Sequence, residues 1–532
     1  MMGEAQPEAS RANMGIPRAE RGGEAQPEAS RANMGIPRAE RGGEAIRLAL
    51  KSASFHLRNL RTRLPFRYGV ATLTHFPLLH LAVEVEAADG RRGRGFAADN
   101  LPPKWFDKDP TKTFRDNVED QLASIGAAHT AYLEAARTPR PVFDSWLEAY
   151  PACRRQGRAL GLKSLTASFG SSLFERALAD AAGRLAGLDV LGMLRDNVLG
   201  LRPEAVHPEL SLADVLAWAG APPPERIAVR HTVGLLDPIV AADVPADGWL
   251  RDGLPQTLEE CVERQGLRHF KLKVGGQLDA DLDRLGRIAA TLDRLIPEPY
   301  LVSLDGNEQY KSVEDFARLV DAMRRAPALS RLVPSTAFIE QPLDRAIALD
   351  AAATEGLSTL GRQIPMIVDE SDGDLDSFAQ AVRLGYRGVS TKNCKGIVKS
   401  FLNRSLVERW NRGRPAAERL FMSAEDLTNV PVVPVQQDLA TVRALGITHV
   451  ERNGHHYVHG LRHCSPRERR DATRLHPDLY VGDETQAFLR IERGALAVAS
   501  LAAPGYGIAF DPDLPSMTPL AEWTFESLEA AR

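Results

Sequence analysis

Five short apolar runs between Phe270 and Lys392 each end on a side chain that is costly to bury. HFKLKVG carries Lys271 and Lys273, LVSLDGN carries Asp305, AFIEQP carries Glu340, PMIVDES carries Asp369 and GVSTKN carries Lys392. These end residues recur roughly every 30 positions, the length taken by a strand, a helix and two loops. That beat predicts a parallel (β/α) barrel. RIAVRHTVGLLD (Arg226–Asp237) before the five runs, with LFMSAEDL (Leu420–Leu427) and THVERNG (Thr448–Gly454) after them, brings the candidate strands to eight. Helix-period segments such as DADLDRLGRIAATLDRL, SVEDFARLVDAMRRA and LDSFAQAVRLG lie between most of them.

Upstream the pattern is different. AIRLALKSASFHLRNLR and LLHLAVEVEAADGRRGRGFAA read as antiparallel strands, the second pair turning at Ala88-Asp89-Gly90. Helical periodicity follows in TFRDNVEDQLASIGAAHTAYLEAAR and SSLFERALADAAGRLAGLDVLGML. Strands followed by helices predict an α+β domain over residues 46–195, with a proline-bearing linker or insertion at 196–225 and the barrel at 226–493. Residues 1–45 form a tail in which GEAQPEASRANMGIPRAERG at Gly3–Gly22 recurs at Gly23–Gly42. With no apolar stripe it cannot build a core, so it is expected to be disordered, with Met14 and Met34 as other candidate starts.

Alternation along a strand puts Lys271 and Lys273 on one face and Phe270, Leu272 and Val274 on the other. If the apolar face meets the helices, both lysines point into the barrel, and the same parity groups Ser303, Asp305 and Asn307. Singly, each motif could be a solvated strand face, a turn or a helix cap; five in phase predict one cavity. Three carboxylates from adjacent strands are hard oxygen donors suited to Mg²⁺, with Mn²⁺ possible. Two ammonium groups about 7 Å apart, at an effective dielectric of about 20, repel by roughly 2.4 kcal/mol. On that basis one lysine is expected to have its pKa lowered toward about 7–8, as a base requires.

The 532 residues carry a net charge of −4, which gives no basic field for nucleic acid. No apolar run is long enough to span a membrane, and no signal-peptide pattern is present. Cys153, Cys261, Cys394 and Cys464 lack C-x-x-C spacing, which suggests reduced thiols and a cytoplasmic location.

In this order and spacing the motifs resemble the enolase superfamily, in the mandelate racemase/muconate lactonizing enzyme-like branch that contains muconate cycloisomerases, dipeptide epimerases and o-succinylbenzoate synthases. The family's K-x-K matches Lys271-Leu272-Lys273, its metal acids match Asp305, Glu340 and Asp369, and its sixth-strand lysine matches Lys392. The resemblance implies a modified (β/α)7β TIM-type barrel under an N-terminal α+β capping domain, with residues 494–532 rejoining the cap. It implies Mg²⁺-dependent removal of a proton next to a carboxylate to give a metal-stabilised enolate. Racemisation or epimerisation, cycloisomerisation or β-elimination could follow, so the enzyme would be an isomerase or a lyase. Lys273 would be one base, Lys392 the acid or base on the other face, and Lys271 would tune Lys273.

Two cap loops, Pro65–Thr74 and Ala97–Pro110, would close over the substrate, with Arg67, Tyr68, Trp105 and Phe106 as candidate contacts. Asn307 is a further candidate, and Glu425 could bind a cationic substrate group. Lys395 and the histidines His455, His456 and His459 read as loop residues. A small carboxylate substrate and a homo-oligomer are expected, with no nucleic-acid or membrane partner. Two rival readings are a Schiff-base lyase or aldolase on a (β/α)8 barrel, with Lys392 or Lys273 as the amine, and a catalytically silent relative that binds a ligand.

Overall fold

The computed structural model describes residues 44–530; the tandem repeat lies outside the described residues. Three antiparallel strands, Arg47–Tyr68, Ala71–Ala87 and Arg92–Asn100, open the described chain. Helix Ser164–Ala186 packs on the third strand, and helices Phe114–Ala135 and Val142–Ala159 pack on that helix. The first of these starts at a capping box in which Thr113 and Asp116 satisfy each other's backbone N–H groups. Leu57, Leu79, Leu81 and Val83 from the sheet meet Phe169, Leu173 and Phe174 in one apolar core. Each such buried side chain contributes about 1.5–3 kcal/mol of hydrophobic stabilisation. The helix can approach the sheet this closely because position 95 is glycine: a Cβ there would lie 1.9 Å from the carbonyl oxygen of Ala177.

Eight parallel strands then form the barrel: Arg226–Val233, His269–Lys273, Leu301–Asp305, Thr336–Glu340, Met366–Val368, Gly388–Thr391, Phe421–Ala424 and His449–Arg452. They pair in chain order, and the eighth pairs with the first, Val450 opposite Val229, which closes the sheet and leaves the barrel without an exposed edge. Helices run between consecutive strands, among them Leu258–Gln265, Leu278–Leu295, Val313–Arg325 and Ile397–Trp410. Phe270, Leu272, Val302, Leu304 and Ile339 are fully buried, while their strand neighbours Lys271, Ser303 and Asp305 are buried polar residues. The architecture is the TIM-type barrel with an N-terminal capping region expected from the alternation of strands and helices.

Some stretches differ from the sequence reading. Between 196 and 225 the chain forms the helix Leu212–Ala219, capped by Ser211 and Asp214, and Trp218 Nε1 donates to Ser405 Oγ at 3.0 Å. This stretch is packed against a barrel helix, so it is more than a connector. After the eighth strand, Ala495–Ala497 pairs antiparallel with the first barrel strand before Thr518–Pro519 pairs with the first cap strand. None of the described helices is long and apolar enough to cross a membrane.

Candidate active site

The chemistry collects at the C-terminal ends of the barrel strands. Lys273, Asp305 and Glu340 stand directly opposite one another across three adjacent strands. Inside the barrel, Lys271 Nζ lies 2.9 Å from Asp305 Oδ2, 2.6 Å from Glu340 Oε2, 2.8 Å from Glu425 Oε2 and 3.0 Å from Glu451 Oε2. Lys273 Nζ donates to Asp305 Oδ2 at 2.5 Å, and Lys392 Nζ donates to Asp369 Oδ2 at 2.6 Å. The three acids and three lysines singled out in the sequence therefore share one charge lattice.

Burial disfavours each of these charges, and the neighbours decide the outcome. Burial pushes the Lys271 amine down, but four surrounding carboxylates outweigh it and hold its pKa well above the ordinary value. Lys392 is likewise raised, because Asp369 outweighs its burial. Neither Lys271 nor Lys392 is therefore the lysine of lowered pKa that the sequence led us to expect. That reading counted ammonium against ammonium and left out Glu425 and Glu451, which reach the same interior from the seventh and eighth strands. Asp305 is held low by Lys271 and Lys273 against its burial, and Asp369 is held well below its ordinary value by Lys392 and Lys395.

Glu340 is the exception among the acids. Burial, Asp305 and Glu425 push its carboxyl well above the usual range, because one ammonium cannot neutralise four carboxylates. Neither of its oxygens accepts a well-directed hydrogen bond, despite the nearby Lys271. Glu370, the next residue after Asp369, is similarly pushed to about 7 by burial and by Asp369, and its Oε2 has no hydrogen-bond partner. Buried carboxylate oxygens without donors, at a spot short of positive charge, fit a hard divalent cation. Asp305, Glu340 and Asp369 are the residues that could hold it.

Above the lattice is a narrow cleft lined by Lys273, Lys392, Asn307, Glu451, Asp426 and Asn453 from the barrel and by Phe66, Tyr68 and Trp105 from the cap. The two catalytic candidates Lys273 and Lys392 both open onto it, and Lys392 Nζ lies 4.5 Å from the centre of the Trp105 ring. Tyr68 OH donates to Pro103 O at 2.7 Å, which joins the two cap loops. Asn307 takes a positive φ of 42°, and its backbone N–H and side-chain amide both donate to Asp305. Such a backbone at a strand end is a strained position of the kind found at binding sites.

Other candidates fall elsewhere. Arg67 is exposed, because alternation along the hairpin turns Phe66 and Tyr68 inward and Arg67 outward. Phe106 is buried against Phe169 and Trp105 within the cap. Glu425 is fully buried and taken up by Arg230 at 2.5 Å, Lys271 at 2.8 Å and Ser423 at 2.6 Å, so it braces the barrel interior and faces no substrate. Lys395 is a buried residue that donates to Ser390 Oγ at 2.8 Å and to Asp369 Oδ1 at 3.2 Å. Its short turn, Asn393–Lys395, folds the chain back over the fifth strand end. Phe66 and Asp426 were not singled out from the sequence; hairpin parity would have found the first, and the acidic run after Ser423 marks the second.

Residues 254–400 match the family model described as enolase C-terminal domain-like. No curated protein matches the chain by sequence. Among solved structures, the fold is similar to a dipeptide epimerase from Enterococcus faecalis complexed with Mg and L-Leu-L-Tyr: 15% identity, TM-score 0.55, 87% of this chain and 100% of that one covered. It is also similar to the L-Ala-D/L-Glu epimerase of Bacillus subtilis (14%, TM-score 0.53, 87% and 99% covered) and to a 2-chloromuconate cycloisomerase of Rhodococcus opacus (17%, TM-score 0.54, 87% and 97% covered). The matched residues span the strands that carry the lysine and acid motifs, and these neighbours share the closed barrel with its N-terminal capping region.

Proposed function

We propose that the protein is a divalent-cation-dependent isomerase that moves a proton on the carbon next to a substrate carboxylate. One observation carries the reading: Lys273 and Lys392, from the second and sixth strands of the barrel, open onto the same cleft, each anchored to a different acid of the proposed cation set. A substrate carbon lying between them can lose a proton to one amine and receive one from the other, which inverts its configuration. Held by Asp305, Glu340 and Asp369, Mg²⁺ would offset the negative charge that builds on the carboxylate. Trp105 and Tyr68 cover the cleft and limit water. Lys271, ringed by four carboxylates and absent from the cleft wall, would keep the acids in register and take no proton from substrate.

Support for the reaction class comes from epimerases and a cycloisomerase with the same fold. The Schiff-base alternative would use one lysine and leave the three inward acids Asp305, Glu340 and Asp369 without a task. The test is incubation with a panel of amino acids, dipeptides and acid sugars in D₂O with Mg²⁺, read by mass spectrometry. Deuterium uptake next to the carboxylate that stops on chelation and returns with Mg²⁺ is expected. Uptake that persists without a cation, or covalent trapping of Lys392 by borohydride with a carbonyl compound, would defeat the proposal.

A further inference from the structure

The first barrel strand carries different chemistry on its two faces. Arg230 and Thr232 point inward, where they bond Ser303, Glu425 and Glu451. His231, between them, points outward into the layer between strand and helices. There it meets Cys261 from helix Leu258–Gln265 and His456 from the short helix Gly454–Tyr457. One ligand atom from each of the three lies within 4.8 Å of the others, and all three residues are buried. Neither the acid lattice nor the cleft uses any of them.

We infer that His231, Cys261 and His456 form a second metal site, for a borderline-soft divalent cation of the zinc class. Ligand atoms around a tetrahedral zinc ion stand about 3.5 Å apart. Cys261 Sγ and His456 Nδ1 are already 3.8 Å apart, and the rings of His231 and His456 meet edge to face with centroids 5.0 Å apart. Two imidazoles and a thiolate are the donor set that selects zinc over the Mg²⁺ suited to the carboxylates inside the barrel. A supporting partner is also present: His455 Nε2 lies 3.3 Å from His231 Nδ1. When Nδ1–H of His231 donates across that contact, Nε2 keeps its lone pair for the ion, the arrangement that orients metal-bound histidines.

The surrounding charges are compatible. Burial keeps His231 and His456 neutral and the Cys261 thiol protonated. Uptake of M²⁺ would expel the thiol proton to solvent and form the metal–sulfur bond. The ion's two positive charges would then face the Cys261 thiolate and the neighbouring carboxylate of Asp237. The nearby Arg63 is matched by Asp252, whose oxygens lie 2.6 and 2.9 Å from its guanidinium. Arg63 also donates to the carbonyl oxygens of His456 and Pro255, and Tyr457 stacks on Phe66 with ring centroids 4.2 Å apart. An ion here would therefore fasten the segments on which the Phe66–Tyr68 lip of the cleft rests.

The test uses the full chain, kept in excess Mg²⁺, exposed to zinc and then desalted, with metal content read by mass spectrometry. About one zinc per chain is expected for the wild type, a large loss for Cys261→Ser and His456→Ala, and retention in Asp369→Asn, which damages only the inner site. Zinc should also raise the melting temperature of the wild type and not that of Cys261→Ser. Cobalt should give a thiolate-to-metal charge-transfer band in the near ultraviolet with the wild-type protein, a reading that needs no variant. Folded wild type that shows no such band, or zinc content unchanged by Cys261→Ser, would overturn the inference. Zinc lost in Asp369→Asn while Cys261→Ser retains it would place the ion in the inner site and overturn it as well.

Discussion

Glu425 in the barrel and Glu175 in the cap are both buried, and their surroundings treat the carboxyl group in opposite ways. In the barrel, Glu425 meets Arg230 and Lys271, and Asp369 meets Lys392 and Lys395. In the cap, Glu175 accepts hydrogen bonds from the neutral donors Trp146 Nε1 at 3.0 Å, Val398 N at 3.1 Å and Ser171 Oγ at 3.3 Å. Charge opposite charge holds Glu425 below its ordinary range, whereas burial pushes Glu175 up to about 7. Similar burial thus yields an ionised carboxylate in one region and a carboxyl that retains its proton near neutrality in the other.

The largest expected effect tests whether the barrel lattice serves chemistry. Lys273→Ala and Lys392→Ala should each lower the rate of α-hydrogen exchange about a hundred- to ten-thousandfold without altering the circular dichroism spectrum. A loss below threefold in either variant would mean that the amine is structural. Next, Arg230→Met leaves Glu425 buried without its guanidinium partner. The expected cost is about 3–5 kcal/mol, read as a lower urea midpoint at constant m-value.

The cap is tested through pH. Glu175 has a folded-state pKa of about 7 against an ordinary 4.5, so between those values the folded state holds a proton that the unfolded state has released. Its contribution to stability should be greatest below about 4.5, fall as pH rises through that window, and vanish above about 7. Glu175→Gln should remove this component, about 3 kcal/mol at most, from the pH dependence of the melting temperature. A slope unchanged by the substitution would show that Glu175 is ionised in the fold. The smallest effect belongs to Arg67→Ala: a stability change below about 0.5 kcal/mol and an unchanged KM, because the side chain faces solvent.

Period-two alternation made much of the barrel legible. It placed Lys271 and Lys273 on one face, and the recurring strand ends marked Asp305, Glu340, Asp369 and Lys392 as a group. It gave less where geometry departs from an ideal strand. Lys395 looked solvated because nothing in STKNCKG signals that a tight turn returns its amine to Asp369. Helix Val142–Ala159 carries Pro151 in its interior, a residue that argues against a continuous helix. The lysine pKa directions were illegible for a different reason: they depend on carboxylates more than 150 positions away, Glu425 and Glu451, that only barrel closure brings to Lys271.

The bond between Tyr68 and Pro103 has a mechanical consequence. It couples the rim supplied by the hairpin to the rim supplied by the Trp105 loop, so the mouth of the cleft has one flap with two edges. Displacing either edge strains that bond, and the Trp105 edge is further held to the barrel where Arg345 donates to the carbonyl oxygens of Trp105 and Phe106.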